Sequence, residues 1–286
     1  MGIQVILEII ETEFKKNLSS TYKLSILIGM DSLFYTIFSP NNKLLVLRHI
    51  KITPQSGYSG EFFSLVNEVL KKDDLLRLNY KSCHAAYSSN KATLIPNRLF
   101  DTTELNTYLN QVTTVNAKEG IYYDDLPVHA SKLVFAVHSN LITFVKSIQP
   151  NAKLMHRSTA HIEGVKRYLS KKAIANAVCI DVQTEVMQIL VIKDNELQLL
   201  NHYPYFSEQD CLYYTSLVFN QLQLSTEGTP LLLSGQINSN DAYGKLLNRY
   251  INNIQFMPPD GTLKINNGFD HSPKHQYFTL FSLSHF

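Results

Sequence analysis

The stretch from Asn176 to Tyr203, ANAVCIDVQTEVMQILVIKDNELQLLNHY, constrains this chain most. It holds three β-rich runs, Ala177 to Asp181, Val186 to Ile192 and Glu196 to Tyr203, joined by two short polar segments. Branched apolar residues favour the pleated backbone, and Asp194-Asn195 suits a tight turn. The reading is a three-strand meander with an acidic residue, Asp181, near the end of its first strand.

A similar plan precedes it. Leu24, Ile26 and Ile28 alternate, Gly29 to Asp31 turns the chain, and Leu33 to Phe38 and Leu44 to Ile52 continue as strands. Shifting the numbering by 154 lays Leu27 on Asp181, Asp31 on Glu185 and the Asn41-Asn42 turn on Asn195-Glu196. Identity is negligible, so the repeat lies in pattern and turn position. Before it, Val5, Ile6, Leu7, Ile9 and Ile10 suit either a strand or a short helix.

After each meander, helices and strands alternate. Glu61 to Leu70 has helical spacing, with Phe62, Leu65, Val66 and Val69 on one face. Strands are expected at Ser82 to Tyr87, Thr93 to Ile95 and Leu133 to Val137, and a loop at Pro54 to Gly60. Asp101-Thr102-Thr103-Glu104 has the form of a capping box opening a helix to Val112. A helix at Leu141 to Ile148 stops before Pro150, and Ser158 caps another to Leu169 after a strand at Lys153 to His156. Ser207 caps a helix through Leu222. A strand at Leu231 to Leu233, a helix at Asp241 to Ile251 and a strand at Ile254 to Met257 follow. The tail, YFTLFSLSHF, is aromatic enough to pack.

This pattern gives an α/β chain of two units, 1–150 and 151–286, each a mixed sheet opening with a three-strand meander and flanked by helices. A cleft between two such units is a preferred ligand site. The plan resembles the actin-like ATPase superfamily, with two ribonuclease-H-like domains around a nucleotide cleft. More closely, the chain resembles a family of uncharacterised bacterial proteins, a domain of unknown function with an actin-like ATPase fold. The residues that carry the closer resemblance span nearly the whole chain. They are Leu24 to Gly29, Leu94-Ile95-Pro96, Asn151 to Thr159, Ile180 to Gln183, Leu212 to Thr215, Leu233 to Ile237, and Phe269-Asp270 with His275.

The superfamily resemblance implies an Asp-x-Gly-Thr type turn in the first half, an Asp-x-Gly-x-x-Thr turn in the second and a Gly-Gly pair at the adenosine, with ATP and magnesium as cofactors. Glycine lets backbone approach phosphate, and carboxylate holds the hydrated ion. Each motif is eroded here. The first Asp position is Leu27, with Gly29 kept and Phe34 where lysine is common. The second keeps Asp181 but has Gln183 at the glycine position, and the third reads Ser234-Gly235-Gln236. No Walker A or G-x-G-x-x-G sequence replaces them. Gly29, Asp181 and Gly235 are therefore the candidate cofactor-binding residues. The competing structural reading makes Asp181 a strand-end carboxylate accepting turn N–H bonds, and the glycines turn or close-approach positions.

The expectation is a non-catalytic actin-like binding or scaffolding protein with no cofactor and an unknown protein partner. The alternative is a divergent nucleotide-binding switch or weak ATPase. No catalytic or metal-ligating residue is assigned. His271 and His275 are four apart, but Pro273 between them opposes a regular helix; His156 and His161 straddle a helix start. Asp73-Asp74 and Asp124-Asp125 read as solvated turn residues, and Tyr213-Tyr214 as core packing or a partner face. Cys83, Cys179 and Cys211 are sparse and in no C-x-x-C pattern, which fits a reducing compartment. Net charge is +2 with signs interspersed, and the nearest basic clusters are the pairs Lys166-Arg167 and Lys171-Lys172, so nucleic acid is not expected. No apolar run reaches the roughly 20 residues of a membrane span, and the start lacks a basic n-region, so the cytoplasm is expected.

Overall fold

The structure, a computed structural model, describes residues 2–55, 60–266 and 273–286. Part of the expected loop at Pro54 to Gly60 lies outside the described residues, as do Phe269, Asp270 and His271. In chain order the strands and helices are β1 (Ile3–Ile10), β2 (Lys23–Ile28), β3 (Ser32–Phe38), β4 (Leu44–Ile52), α1 (Glu61–Lys72), β5 (Ser82–Tyr87), β6 (Ala92–Pro96), α2 (Leu105–Asn110), β7 (Glu119–Leu126), β8 (Ser131–His138) and α3 (Ser139–Ile148). Then come β9 (Lys153–His156), α4 (Arg157–Lys172), β10 (Ala177–Gln183), β11 (Val186–Lys193), β12 (Glu196–Pro204), α5 (Glu208–Gln221), β13 (Leu231–Gly235), α6 (Ala242–Leu247), β14 (Ile254–Phe256) and α7 (Phe278–Ser282).

Three sheets result. The first has the order β1-β4-β3-β2-β5-β9 and the second β12-β11-β10-β13-β14. Both are mixed, because each meander is antiparallel while β5, β9, β13 and β14 join in parallel. The two first hairpins share a register: Leu27 faces Phe34 as Asp181 faces Gln188. The hairpin of β11 and β12 turns on Asp194 (φ 54°) and Asn195 (φ 65°), and two consecutive left-handed residues make a turn whose twist matches the strands. A third sheet, β6-β8-β7, has α2 beside it, while Leu133, Phe135 and Val137 of β8 join the core of the first sheet.

Alternation along the strands decides what covers each face. In the first sheet, Leu24, Ile26 and Ile28 cluster with Val66, Val69 and Leu70 of α1 and with Leu141 and Val145 of α3. The alternate residues Leu27, Phe34 and Ala86 cluster instead with Tyr277, Leu280 and Phe281 at α7. In the second sheet, Val178, Ile180 and Val182 pack on α5 and α6, while Cys179 clusters with Ile162, Val165 and Leu169 of α4. Burying each such aliphatic side chain contributes about 1.5–3 kcal/mol. The helix that follows the first sheet thus covers the second, and the helix near the C-terminus covers the first. The two central helices meet at Gly164, where an added Cβ would lie 2.1 Å from Ser282 Oγ.

Several local expectations change. The ambiguous start is a strand, β1, at the edge of the first sheet. Asp101 accepts from the Thr103 N–H (2.8 Å) in a short 3-10 turn, with no reciprocal bond from Glu104, and α2 ends at Asn110. The cap of α4 is His156, not Ser158, because its Nδ1 accepts the Ser158 N–H (3.1 Å). Ser207 and Asp210 do form a capping box on α5. The helix expected at Asp241 to Ile251 is α6 alone, capped by Asp241.

Candidate functional site

Asp181 is not at a strand end and accepts no turn N–H. It stands inside β10, fully buried, in a row that crosses four strands: His202 pairs with Gln188, Gln188 with Asp181, and Asp181 with Ser234. Neighbours in register point to one face, so the four polar side chains lie side by side. The first turn of α4 covers them. Arg157 donates to Asp181 Oδ2 from Nε (2.8 Å) and Nη2 (2.6 Å), and Ser234 Oγ–H donates to Oδ1 (2.9 Å). The matching row in the first sheet is His49, Phe34, Leu27 and Ala86, and it is apolar apart from His49.

The donors and acceptors of the row admit one consistent assignment. His202 Nε2–H donates to Ser158 Oγ (3.1 Å), and Ser158 Oγ–H donates to Gln188 Oε1. Gln188 Nε2 donates to His161 Nδ1 (2.7 Å), and His161 Nε2–H donates to Ser234 Oγ (3.3 Å). The relay ends on the carboxylate. Burial opposes the charge on Asp181, but Arg157 and the hydrogen bonds outweigh it and hold the carboxyl below its ordinary range. Burial pushes His161 and His202 each down to about 4 and His156 to about 3, so these imidazoles are neutral at neutral pH. The ion pair is therefore the charged centre of an otherwise neutral buried network.

The cleft beside this row is nearly closed. It is lined on one side by Leu27, Gly29 and Phe34, at the first hairpin, and on the other by Arg157, Gln183 and Gly235, and its cavity measures about 30 Å³. That is room for about two waters, against about 300–1,000 Å³ for small-molecule pockets. Two side-chain bonds span it. Thr184 Oγ1 donates to Asp31 Oδ2 (2.8 Å), and Ser88 Oγ donates to Gln183 Oε1 (2.7 Å). Tyr205 OH donates to the Gln183 carbonyl (2.7 Å), fixing the second hairpin from behind.

The two glycines have structural duties. Gly235 has φ +81°, and a Cβ there would sit 2.1 Å from the Val182 carbonyl oxygen. Gly29 closes the first hairpin through its N–H to the Ser32 carbonyl (2.7 Å). The structure thus brings Gly29, Asp181 and Gly235 to one place. As they stand they do not fit a magnesium nucleotide: both Asp181 oxygens are engaged, Leu27 offers no ligand, and Gln183 takes the space a glycine would leave.

The family of proteins of unknown function DUF3822 matches residues 11–254. The chain belongs to this family. No curated protein matches it in sequence. Among solved structures, the chain is similar to a Bacteroides thetaiotaomicron VPI-5482 protein with an actin-like ATPase fold and unknown function. The TM-score is 0.76 at 21% identity, covering 95% of this chain and 98% of that one. It is also similar to a chain of a PilM–PilN type IV pilus biogenesis complex, with TM-score 0.64 at 12% identity, covering 92% and 97%. The fold is the actin-like ATPase fold.

Other residues singled out in the sequence are placed differently. Asp73 is not solvated: its carboxylate accepts from Arg48 Nη1 (2.6 Å) and Tyr35 OH (2.8 Å). Asp124 is on a strand, β7, where Oδ2 accepts the His156 N–H (2.7 Å) and Thr159 Oγ1–H (2.6 Å). It ties the third sheet to the start of α4. His156 and His161 serve as cap and relay, and among the described residues no group of three or more His, Cys, Asp or Glu is placed to hold a metal. The partner of His275 in the spaced pair lies outside the described residues; His275 Nε2–H donates to the Ile237 carbonyl (2.6 Å). The three cysteines are free and buried, and burial pushes the Cys83 and Cys211 thiols up to about 12. Tyr213 is exposed while Tyr214 stacks on Tyr203 (4.6 Å between rings). No described helix is long and apolar enough to cross a membrane.

Proposed function

We propose that this chain is a non-catalytic binding or scaffolding protein that keeps the actin-like frame and uses it toward a protein partner. The single observation that carries the reading is the commitment of Asp181. Its oxygens are taken by Arg157 and Ser234, beside a cleft of about 30 Å³ that Asp181 does not itself line. A carboxylate that is neutralised from within gives a metal ion little to bind. The PilM–PilN structure lends support of a coarser kind, since it pairs a protein of this fold with a second protein. That analogy is one of fold alone.

A second reading, a divergent nucleotide-binding switch, draws on the cleft's closure by two exchangeable side-chain hydrogen bonds, Thr184–Asp31 and Ser88–Gln183. Hinged closure around a ligand is a common output of two-domain folds. Thermal denaturation with millimolar ATP, ADP or GTP and magnesium separates the two, because a ligand bound only by the native state raises the apparent stability. No shift is expected. A shift, or a magnesium-dependent ATPase activity abolished by Asp181→Ala, would falsify the non-catalytic reading.

A further inference from the structure

Three features of the sequence remain: the basic pairs Lys166-Arg167 and Lys171-Lys172, the turn at Pro258-Pro259-Asp260-Gly261, and the aromatic tail, of which Tyr277 and Leu280 line the cleft but Phe278 and Phe281 do not. The fold brings them together. The C-terminal half of α4, that turn and α7 enclose a hollow of about 350 Å³, within the roughly 300–1,000 Å³ range of small-molecule pockets. Its walls are largely apolar, from Tyr168, Pro258, Pro259, Phe278 and Phe281. Its charged lining is Arg167, Lys171 and Lys172 against a single carboxylate, Asp260.

That carboxylate is already satisfied. Asp260 Oδ1 accepts from Lys171 Nζ and from the Thr262 N–H (2.8 Å), which leaves two cations over. Among the described residues Arg167 has no ion pair: its Nη2 donates to the Ser282 carbonyl (3.2 Å), and its guanidinium lies over the Phe286 ring (5.9 Å). The Lys172 side chain forms neither a hydrogen bond nor an ion pair among the described residues. Glu163 and Asp260 favour the charge on Arg167 without forming an ion pair with it, and cations beside low-dielectric walls attract an anion more strongly than they would on an open surface. An apolar body gains by burial against the aromatic and proline walls.

We infer that this hollow binds a small organic anion with an apolar body, such as a medium-chain carboxylate, with Arg167 and Lys172 facing its acidic head. The site goes beyond the partner-binding reading and does not depend on the state of the cleft.

The test uses the full chain and an anionic aromatic probe, anilinonaphthalene sulfonate, followed by fluorescence. Saturable one-site binding is expected, displaced by decanoate and not by decyltrimethylammonium. Gly261→Trp sets a large ring on the turn that lines the hollow, at a position where an added Cβ meets nothing within 4 Å. That variant should keep its melting temperature and lose probe binding. Arg167→Gln removes the charge, keeps the stem as far as Cδ, and should weaken decanoate at least tenfold. Equal displacement by the cation, or binding indifferent to both substitutions, overturns the inference. Each variant's melting curve, taken alongside, separates a lost site from a lost fold. Nucleotide titrations of the cleft read independently of all these outcomes.

Discussion

Arg157 directs two nitrogens, Nε at 2.8 Å and Nη2 at 2.6 Å, at one oxygen of Asp181, Oδ2. Both side chains are buried, at 8% and 1% exposure. Desolvating two charges is costly, and a buried pair often contributes little relative to apolar replacements. Breaking it is another matter, because the surviving charge stays buried without a partner.

Asp181→Asn should therefore destabilise the fold by about 3–5 kcal/mol. Urea denaturation measures this, with the slope m unchanged. The double variant Arg157→Met with Asp181→Leu should recover most of the loss. A mild single effect, or a double variant no better than the single, would show that the pair does not organise the row.

The cleft latch is weaker. Thr184→Val removes the donor to Asp31 Oδ2 and keeps the shape of the side chain. A loss of about 1 kcal/mol is expected, the usual net worth of one such bond. The more specific readout is amide exchange, which should quicken at Gln183 to Glu185 on the hairpin tip and leave β10 protected. Unchanged exchange there would mean that packing closes the cleft without the latch.

The two glycines should behave unequally. At Gly235 alanine meets both a positive φ and a carbonyl oxygen at 2.1 Å, so Gly235→Ala should cost about 3–5 kcal/mol or prevent folding. At Gly29 the nearest atoms to an added Cβ are Ser32 Oγ and O, at 3.1 and 3.2 Å, so Gly29→Ala should cost about 1 kcal/mol. Denaturation midpoints compare them directly. If Gly235→Ala were as stable as the parent, close strand approach would not explain the glycine.

Much of this frame is legible in the chain. The meander at 176–203 and its counterpart at 24–52 show because their β-runs are long and their turns carry residues fit for left-handed backbone. The row across the second sheet is not legible. Gln188, Ser234 and His202 each look ordinary in sequence, and only the strand pairing sets them beside Asp181. Asp124 misled for a related reason. Its strand, β7, is half-exposed on both faces, so it lacks the apolar alternation that marks a strand, and paired acids then read as a turn. The bond from Thr159 depends on contact between distant elements, which no local pattern carries.

The buried titratable groups set the pH at which the fold fails. His156, His161 and His202 are fully buried, and burial holds them at about 3, 4 and 4. In the unfolded chain each titrates near its ordinary value of about 6.5. Below that value the unfolded state binds protons that the folded state refuses. Their contribution to stability is therefore complete above about pH 6.5 and is lost as pH falls toward about 4. Asp124 works in the opposite sense. Burial raises its carboxyl to about 6, against the pull of Thr159 and the His156 N–H. Between about pH 4 and 6 the folded state keeps a proton that the unfolded state, with a carboxyl near 3.9, has released. Its contribution is present below that window and declines as pH rises through it. His49 and His84, which burial also pushes down to about 4, act in the same sense as those three histidines, so unfolding near pH 5 takes up several protons against the one that Asp124 gives up. Stability measured by urea denaturation should thus fall steeply between about pH 6.5 and 4. Asp124→Asn removes the opposing group, so its stability should fall more steeply still over the same range. A flat profile from pH 7 to 4, or one in which Asp124→Asn is less steep than the parent, would mean that these groups are not buried in the states described.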